Sequence, residues 1–224
     1  MKDFKVNYHA SVCIDNSIYV DPLNIEGEPH NAKVILITHS HWDHLSVADI
    51  LKAANENTHF VAPQDCIDKL KEEGFKLENQ KNYWAVGGKS YKNGDEVGYQ
   101  IPNTDFWVQA FPSYNINKPA HPKENAWVGY IITIDNTRYV VCGDSDFTPE
   151  LAKIKCDVLF IPIGGTFTMN ATEAAECANT IKPKIAVPIH YLLKRKDGTI
   201  LGTKEDEKVF IKNLDKNISY RIFF

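Results

Sequence analysis

The stretch Val34-Ile35-Leu36-Ile37-Thr38-His39-Ser40-His41-Trp42-Asp43-His44 sets a continuous apolar run directly against a cluster of imidazoles and one carboxylate. Four branched apolar residues in a row predict a buried strand running from Val34 to Thr38. If the backbone stays extended, His39 and His41 point to the same side, because side chains alternate along a strand. Asp43 and His44 follow where the chain turns into a helix, so they can reach a second position beside the first. Three of the eight histidines fall within these six positions. A solvated histidine-rich loop is the bland alternative, and the apolar strand leading into the cluster argues against it. Imidazole nitrogen and carboxylate oxygen suit zinc, and also iron or manganese.

Two more strands end in the same way. Arg138 to Cys142 runs into Gly143-Asp144-Ser145-Asp146, and Ile185 to Ile189 runs into His190-Tyr191. Taken alone, a Gly-Asp after a strand reads as a turn and a lone strand-end histidine as structural. Together with the first cluster they place ligand-capable side chains at the carboxyl ends of three strands, where α/β proteins commonly build sites.

Further strands are expected over 4–8, 17–20, 59–62, 105–111, 128–134, 157–161 and 218–223, short β-branched or aromatic runs bounded by turn residues. Asp135-Asn136 reads as a tight hairpin turn. Ser46 can cap a helix running to Asn55, Gln64 to Glu73 forms a second stopped by Gly74, Asn170 caps a third over 171–181, and Lys204 to Leu214 forms a fourth. No low-complexity segment or repeat interrupts the pattern, so residues 1–224 read as a single domain. Many strands and about four helices suggest packed sheets with helices outside.

The composition is that of an ordinary globular protein, with 43% apolar and 24% charged residues in 224. A net charge of −4 gives no basic footprint for nucleic acid. No apolar stretch approaches the roughly 20 residues that cross a bilayer, so no membrane partner is expected. The N-terminal MKDFKVNYHASVCID lacks the apolar run of a secretory signal, which points to the cytoplasm. Five cysteines, odd in number and without a C-x-x-C pair, argue against a disulfide framework or a thiolate zinc site.

At these motifs the chain resembles the metallo-β-lactamase superfamily, and within it the Zn-dependent hydrolases that include ascorbate-6-phosphate lactonase-like proteins. The resemblance runs through Tyr8-His9-Ala10-Ser11, Tyr19-Val20-Asp21-Pro22, the 35–44 cluster, Val128-Gly129-Tyr130, 142–146, 161–169, 187–191 and 202–206. It implies an α/β fold, an αβ/βα four-layer sandwich of two packed mixed sheets, with a dinuclear metal site between them. Two Zn2+ ions are the expected cofactor, with Mn2+ or Fe as alternatives. His39 and His41 would hold one ion, Asp43, His44 and His190 the other, and Asp144 would bridge them, while Asp21 would steady a ligand through a hydrogen bond. The histidine that the family places after the strand at 108–111 is missing: Pro112-Ser113-Tyr114-Asn115 stands there instead, and His121 arrives later. His121 is the favoured replacement, with Asn115, water or a single-ion site as alternatives. His9, His30 and His59 read as non-ligands, His9 being nearest to a family motif.

Function then reads as metal-dependent hydrolysis of a small ester, lactone or phosphate. Asp43 and Asp144 would set up a reactive water, and His190 or Tyr191 would assist the leaving group. Lys194-Arg195-Lys196, Lys118 and Lys123 are candidate receivers of an anionic group, or plain solvated loops. Gly164-Gly165-Thr166 reads equally as an anion-binding turn or a tight turn. A phosphodiesterase or nuclease is the second reading and a non-catalytic metal-binding protein the third. Substrate, metal identity and homo-oligomer formation are not written in the residues.

Overall fold

Alternate side chains of the strand that leads into the His/Asp cluster face two different cores, and the architecture follows from that division. In the computed structural model, which describes residues 1–77, 82–87, 97–195 and 197–224, Val34 and Leu36 join an apolar layer between two sheets. Ile35 and Ile37 join a layer under two helices.

The first sheet contains β1 (Phe4–Tyr8), β2 (Ser11–Ile14), β3 (Ile18–Val20), β4 (Val34–Leu36), β5 (His59–Pro63) and β6 (Tyr83–Val86), in that spatial order. Its first three strands are antiparallel, and β3 to β6 are parallel. The second sheet draws on β7 (Val97–Gln100), β8 (Trp107–Pro112), β9 (Val128–Ile134), β10 (Thr137–Val141), β11 (Val158–Pro162) and β12 (Ile185–Ile189). A two-stranded ribbon follows, β13 (Leu193–Lys194) with β14 (Ile200–Leu201), and β15 (Ser219–Tyr220) closes the second sheet beside β12. This sheet is antiparallel from β7 to β10 and parallel from β10 to β15. Both sheets are mixed.

Helices α1 (Val47–Ala53) and α2 (Gln64–Glu72) cover the outer face of the first sheet. Helices α3 (Ala171–Ile181) and α4 (Lys204–Asn213) cover that of the second. The four layers are therefore αβ/βα, as expected. Ser46 caps α1 by accepting from the Asp49 N–H. Asn170 and Glu173 form a reciprocal capping box on α3, and Thr203 and Asp206 form another on α4. Such caps contribute about 1 kcal/mol each. Asp135 and Asn136 both take positive φ (47° and 59°), the geometry of a two-residue hairpin turn between β9 and β10.

Two features set the site. The strand expected to reach Thr38 stops at Leu36, because the Asp21 carboxylate takes the Thr38 N–H at 2.7 Å and draws it out of the ladder. Tyr130 on β9 then reaches across the interface and donates its hydroxyl to the carbonyls of Ile37 (2.7 Å) and Val61 (2.9 Å). Strands β2, β6, β7 and the β13–β14 ribbon were not among the expected ones. Among the described residues, no helix is long and apolar enough to cross a membrane.

Candidate metal centre

Beyond Leu36 the chain turns tightly over the end of the sheet: the His41 carbonyl accepts from the N–H groups of His44 (3.0 Å) and Leu45 (2.9 Å). That turn aims His39, His41, Asp43 and His44 at one place. Buried Asp21, itself at positive φ, directs two of them. Its Oδ2 accepts from His44 Nδ1 (2.7 Å) and from the Thr38 hydroxyl (2.6 Å), and Thr38 Oγ1 in turn accepts from His39 Nδ1 (2.9 Å). Both rings thereby keep a proton on Nδ1 and present Nε2 inward, the orientation that metal-binding histidines use.

The second sheet supplies the opposite wall. Asp144 follows Gly143, whose positive φ (63°) and close neighbours Val128, Ser113 and Thr38 leave little room for a side chain. His121 arrives on a long loop between β8 and β9. Asp146 anchors that loop, accepting from the Ile116 N–H (2.8 Å) and Lys118 Nζ (2.6 Å), while Asn115 Nδ2 donates to the Phe167 carbonyl (2.9 Å). His190 leaves β12 at positive φ (56°), and Gly164 sits so close that a Cβ there would stand 2.3 Å from the His190 carbonyl oxygen. The displaced histidine thus reaches the cluster, while the Asn115 amide nitrogen is engaged on the loop.

The resulting distances are short. His121 Nε2 lies 3.2 Å from His39 Nε2 and 3.5 Å from Asp144 Oδ2. Asp144 Oδ1 lies 3.2 Å from His44 Nε2, and its Oδ2 lies 2.9 Å from His190 Nε2. Among the described residues, three groups have donor atoms within 4.8 Å of one another: His39, His41 and His121; His39, His44 and Asp144; and His9, Asp43, His44 and His190. The seven predicted site residues therefore converge, and His9 joins them.

The first group stands on an indole. Rings of His39, His41 and His121 lie 5.0, 4.8 and 5.2 Å from Trp127, whose Nε1 donates to Asp65 of α2 at 3.0 Å. Burial, reinforced by the neighbouring imidazoles, lowers His39 and His41, and it takes His121 down to about 4. These imidazoles are neutral near pH 7 and have lone pairs to offer. Elsewhere in the cluster charge dominates. Burial would lower His44, but Asp144, Asp21 and Asp43 outweigh it and hold its proton well above the ordinary range. Burial would raise Asp43 and Asp144, and the surrounding histidines override it and keep both ionised.

Whether cations fit can be judged from the protein atoms themselves. His9 Nδ1 and Nε2, His44 Nε2, His121 Nδ1, Asp144 Oδ1, and His190 Nδ1 and Nε2 are buried without a hydrogen-bond partner in the protein. A buried polar atom left unpaired costs about 1–3 kcal/mol, and buried carboxylates need compensating charge. Imidazole and carboxylate donors gathered in this way fit divalent transition metals.

A cavity of about 260 Å³ opens onto the cluster. His41, Asp43, Asp144 and His190 line its floor; Trp42, Phe167, Leu193 and Leu201 form apolar walls; Arg195 stands at the rim.

A family model described as a beta-lactamase superfamily domain matches residues 13–191. The chain belongs to the beta-lactamase superfamily. Among relatives, a UPF0173 protein of Pyrococcus furiosus is 28% identical over 93% of this chain and 88% of its own. A UPF0173 metal-dependent hydrolase of Listeria welshimeri is 26% identical over 97% and 96%. A crystal structure from Parabacteroides distasonis, provisionally named a metal-dependent hydrolase, superposes with a TM-score of 0.73 at 27% identity, covering 98% of this chain and 91% of the other.

Several expectations for this superfamily member change with the structure in view. Tyr191 is buried with its hydroxyl donating to Glu207 Oε2 (2.6 Å), so it is turned away from the cavity. Lys118 is paired with Asp146 and Lys123 with Glu150 (2.7 Å), and Lys194 does not line the cavity, so among the described residues Arg195 is the Lys or Arg side chain there; Lys196 lies outside the described residues. Gly165 and Thr166 spend their N–H groups on Met169 and Gly164, so that segment is a tight turn. His9, read as a non-ligand, sits inside the cluster. Neither His9 nor Trp127 stands at a ligand-like spacing; the one signal was a histidine occupying a hairpin turn where Gly or Asn is usual.

Proposed function

We propose that this metal-dependent hydrolase of the beta-lactamase superfamily cleaves a small ester, lactone or phosphate carrying an anionic group, in the manner of the lactonase-like branch it resembles. His39, His41 and His121 would hold one cation, Asp43, His44 and His190 a second, and Asp144 both. Zinc is the first choice, with manganese or iron as alternatives. When bound, such a pair supplies a nucleophilic hydroxide near neutral pH and withdraws charge from the scissile group.

The protein's own groups do the rest. Asp43 and Asp144, both held ionised, accept the proton of the attacking water and keep it oriented at the cavity floor. In this reading His190 serves as a ligand, and its Nε2 is not free to protonate the leaving oxygen as well. The apolar walls exclude water and seat the uncharged part of the substrate. Arg195, whose nearest acid is Asp197 at a loose 3.9 Å, is available to grip a carboxylate or phosphate in two-pronged fashion. About 260 Å³ suits a metabolite-sized molecule.

The observation that carries this reading is the convergence of His39, His41, Asp43, His44, His121, Asp144 and His190 in one cluster, of which His41, Asp43, His121, Asp144 and His190 line the cavity. Metal analysis followed by a panel of lactones, carboxylic esters and phosphodiesters tests it. Two equivalents of metal with turnover of small anionic lactones or esters is the expected result. Turnover confined to RNA or phosphodiesters would replace it with a nuclease, and tight metal binding with no turnover on any class would replace it with a non-catalytic role.

A further inference from the structure

His9 lies in the turn between β1 and β2, a position usually given to Gly, Asn or Asp, at φ 52°. A non-glycine residue in that conformation carries strain that the surroundings must hold, and such residues gather at functional sites. The surroundings here are specific. The His9 carbonyl accepts from the His190 N–H at 3.0 Å, so two left-handed histidines from opposite sheets are tied backbone to backbone. Their rings stand 4.0 Å apart. His9 is 1% exposed, yet neither ring nitrogen has a hydrogen-bond partner.

Its Nε2 lies 3.4 Å from Asp43 Oδ2. That is the spacing of two donors on one tetrahedral ion, each about 2.1 Å from it. That length is beyond a well-formed N–H···O hydrogen bond, and Nε2 is left without a partner. An imidazole that only steadied Asp43 would be expected to donate a proton along that line.

We propose that His9 is itself a ligand of the second cation, through Nε2, alongside Asp43, His44 and His190. This rests on the two-cation reading above. With His9 the second group has five protein donors, counting Asp144, against four in the first. The second position is therefore the one suited to an ion of coordination number above four, which tetrahedral zinc does not require.

The test uses the full chain as wild type, His9→Ala and His9→Gln, stripped of metal and titrated with Zn2+ by calorimetry, with metal content measured independently. Wild type is expected to bind two equivalents. His9→Ala should retain the first and bind the second at least about a hundredfold more weakly, exceeding the tenfold-to-hundredfold effect of an orienting residue. Added imidazole, filling the space left in His9→Ala, should restore the second equivalent. His9→Gln should resemble His9→Ala, because an amide is a poor zinc ligand although it can still donate to Asp43. Wild-type affinity for the second ion in either variant overturns the assignment, and retention of the first ion shows that the variant is folded. Wild type binding fewer than two equivalents would instead overturn the two-cation reading itself.

Discussion

His39, His41 and His121 lean on the face of Trp127, whereas His44 and His190 stand among carboxylates and strained backbone, and the contrast separates two ways of holding a donor. In the first group ring packing sets the positions, helped by hydrogen bonds of His39 with Thr38 and with His121. In the second, Asp21 grips His44, and His9 and His190 are locked together at positive φ. Packing tolerates small displacements, because aromatic faces are broad and dispersion is shallow. A buried charge network does not, because each member left without its partner costs several kcal/mol. The second group should therefore be the more specific and the more fragile.

The strongest way to break this contrast is to remove what the two groups share. Asp144→Ala should lose both cations and several kcal/mol of transition-state stabilisation, roughly a thousandfold or more in kcat/KM. Full metal content and turnover in this variant would end the shared-site picture. Acid probes both groups at once in the metal-free protein. Burial holds His9 and His121 at about 4, against 6.5 when unfolded. Between pH 6.5 and 4 the unfolded chain thus binds more protons, and stability falls as pH falls. Two such groups contribute on the order of a few kcal/mol, visible as a drop in melting temperature; a flat profile across that window would contradict the burial argument.

Asp21→Asn sharpens the comparison, since an amide has one acceptor oxygen where the carboxylate uses two, and its NH2 must face either the Thr38 N–H or the donors of His44 and the Thr38 hydroxyl. Metal affinity should weaken about 10–100-fold, with the second ion affected more than the first; equal loss would show that Thr38 transmits the effect undiminished to His39. Trp127→Phe keeps a ring but drops the tether to Asp65. It should loosen the first ion by at most about tenfold, leaving the second unchanged. Smallest is Arg195→Gln, expected to raise KM for anionic substrates by about tenfold at unchanged metal content, the value of one charge-assisted hydrogen bond.

Much of the fold was legible because its signals are local. An apolar run ending in a histidine cluster, helix caps at Ser46 and Asn170, and a two-residue turn at Asp135-Asn136 are each written within a few residues. The convergence of the seven candidate residues was legible for a related reason, since three strand ends announce most of them. Other features depend on partners distant in sequence. Strands β6 and β7 lack a clean alternation, the ribbon strands β13 and β14 are only two residues long, and β2 is buried throughout, so period-two patterning had little to find. Trp127 acquires its meaning from an acid 62 positions away, and His9 from a histidine on the opposite sheet. Lys118 and Lys123 misled for the same reason: lysines near His121 read as substrate contacts until Asp146 and Glu150 appear beside them.

The cluster draws His9 and residues 39–44 from one sheet and His121, Asp144 and His190 from the other, so bound cations would rivet the two halves of the sandwich together. Prying the sheets apart would then require the ions to leave first. Spontaneous unfolding should slow as free metal rises, because ligation of the native state alone adds to its stability, and a chelator should act on this protein as a slow denaturant.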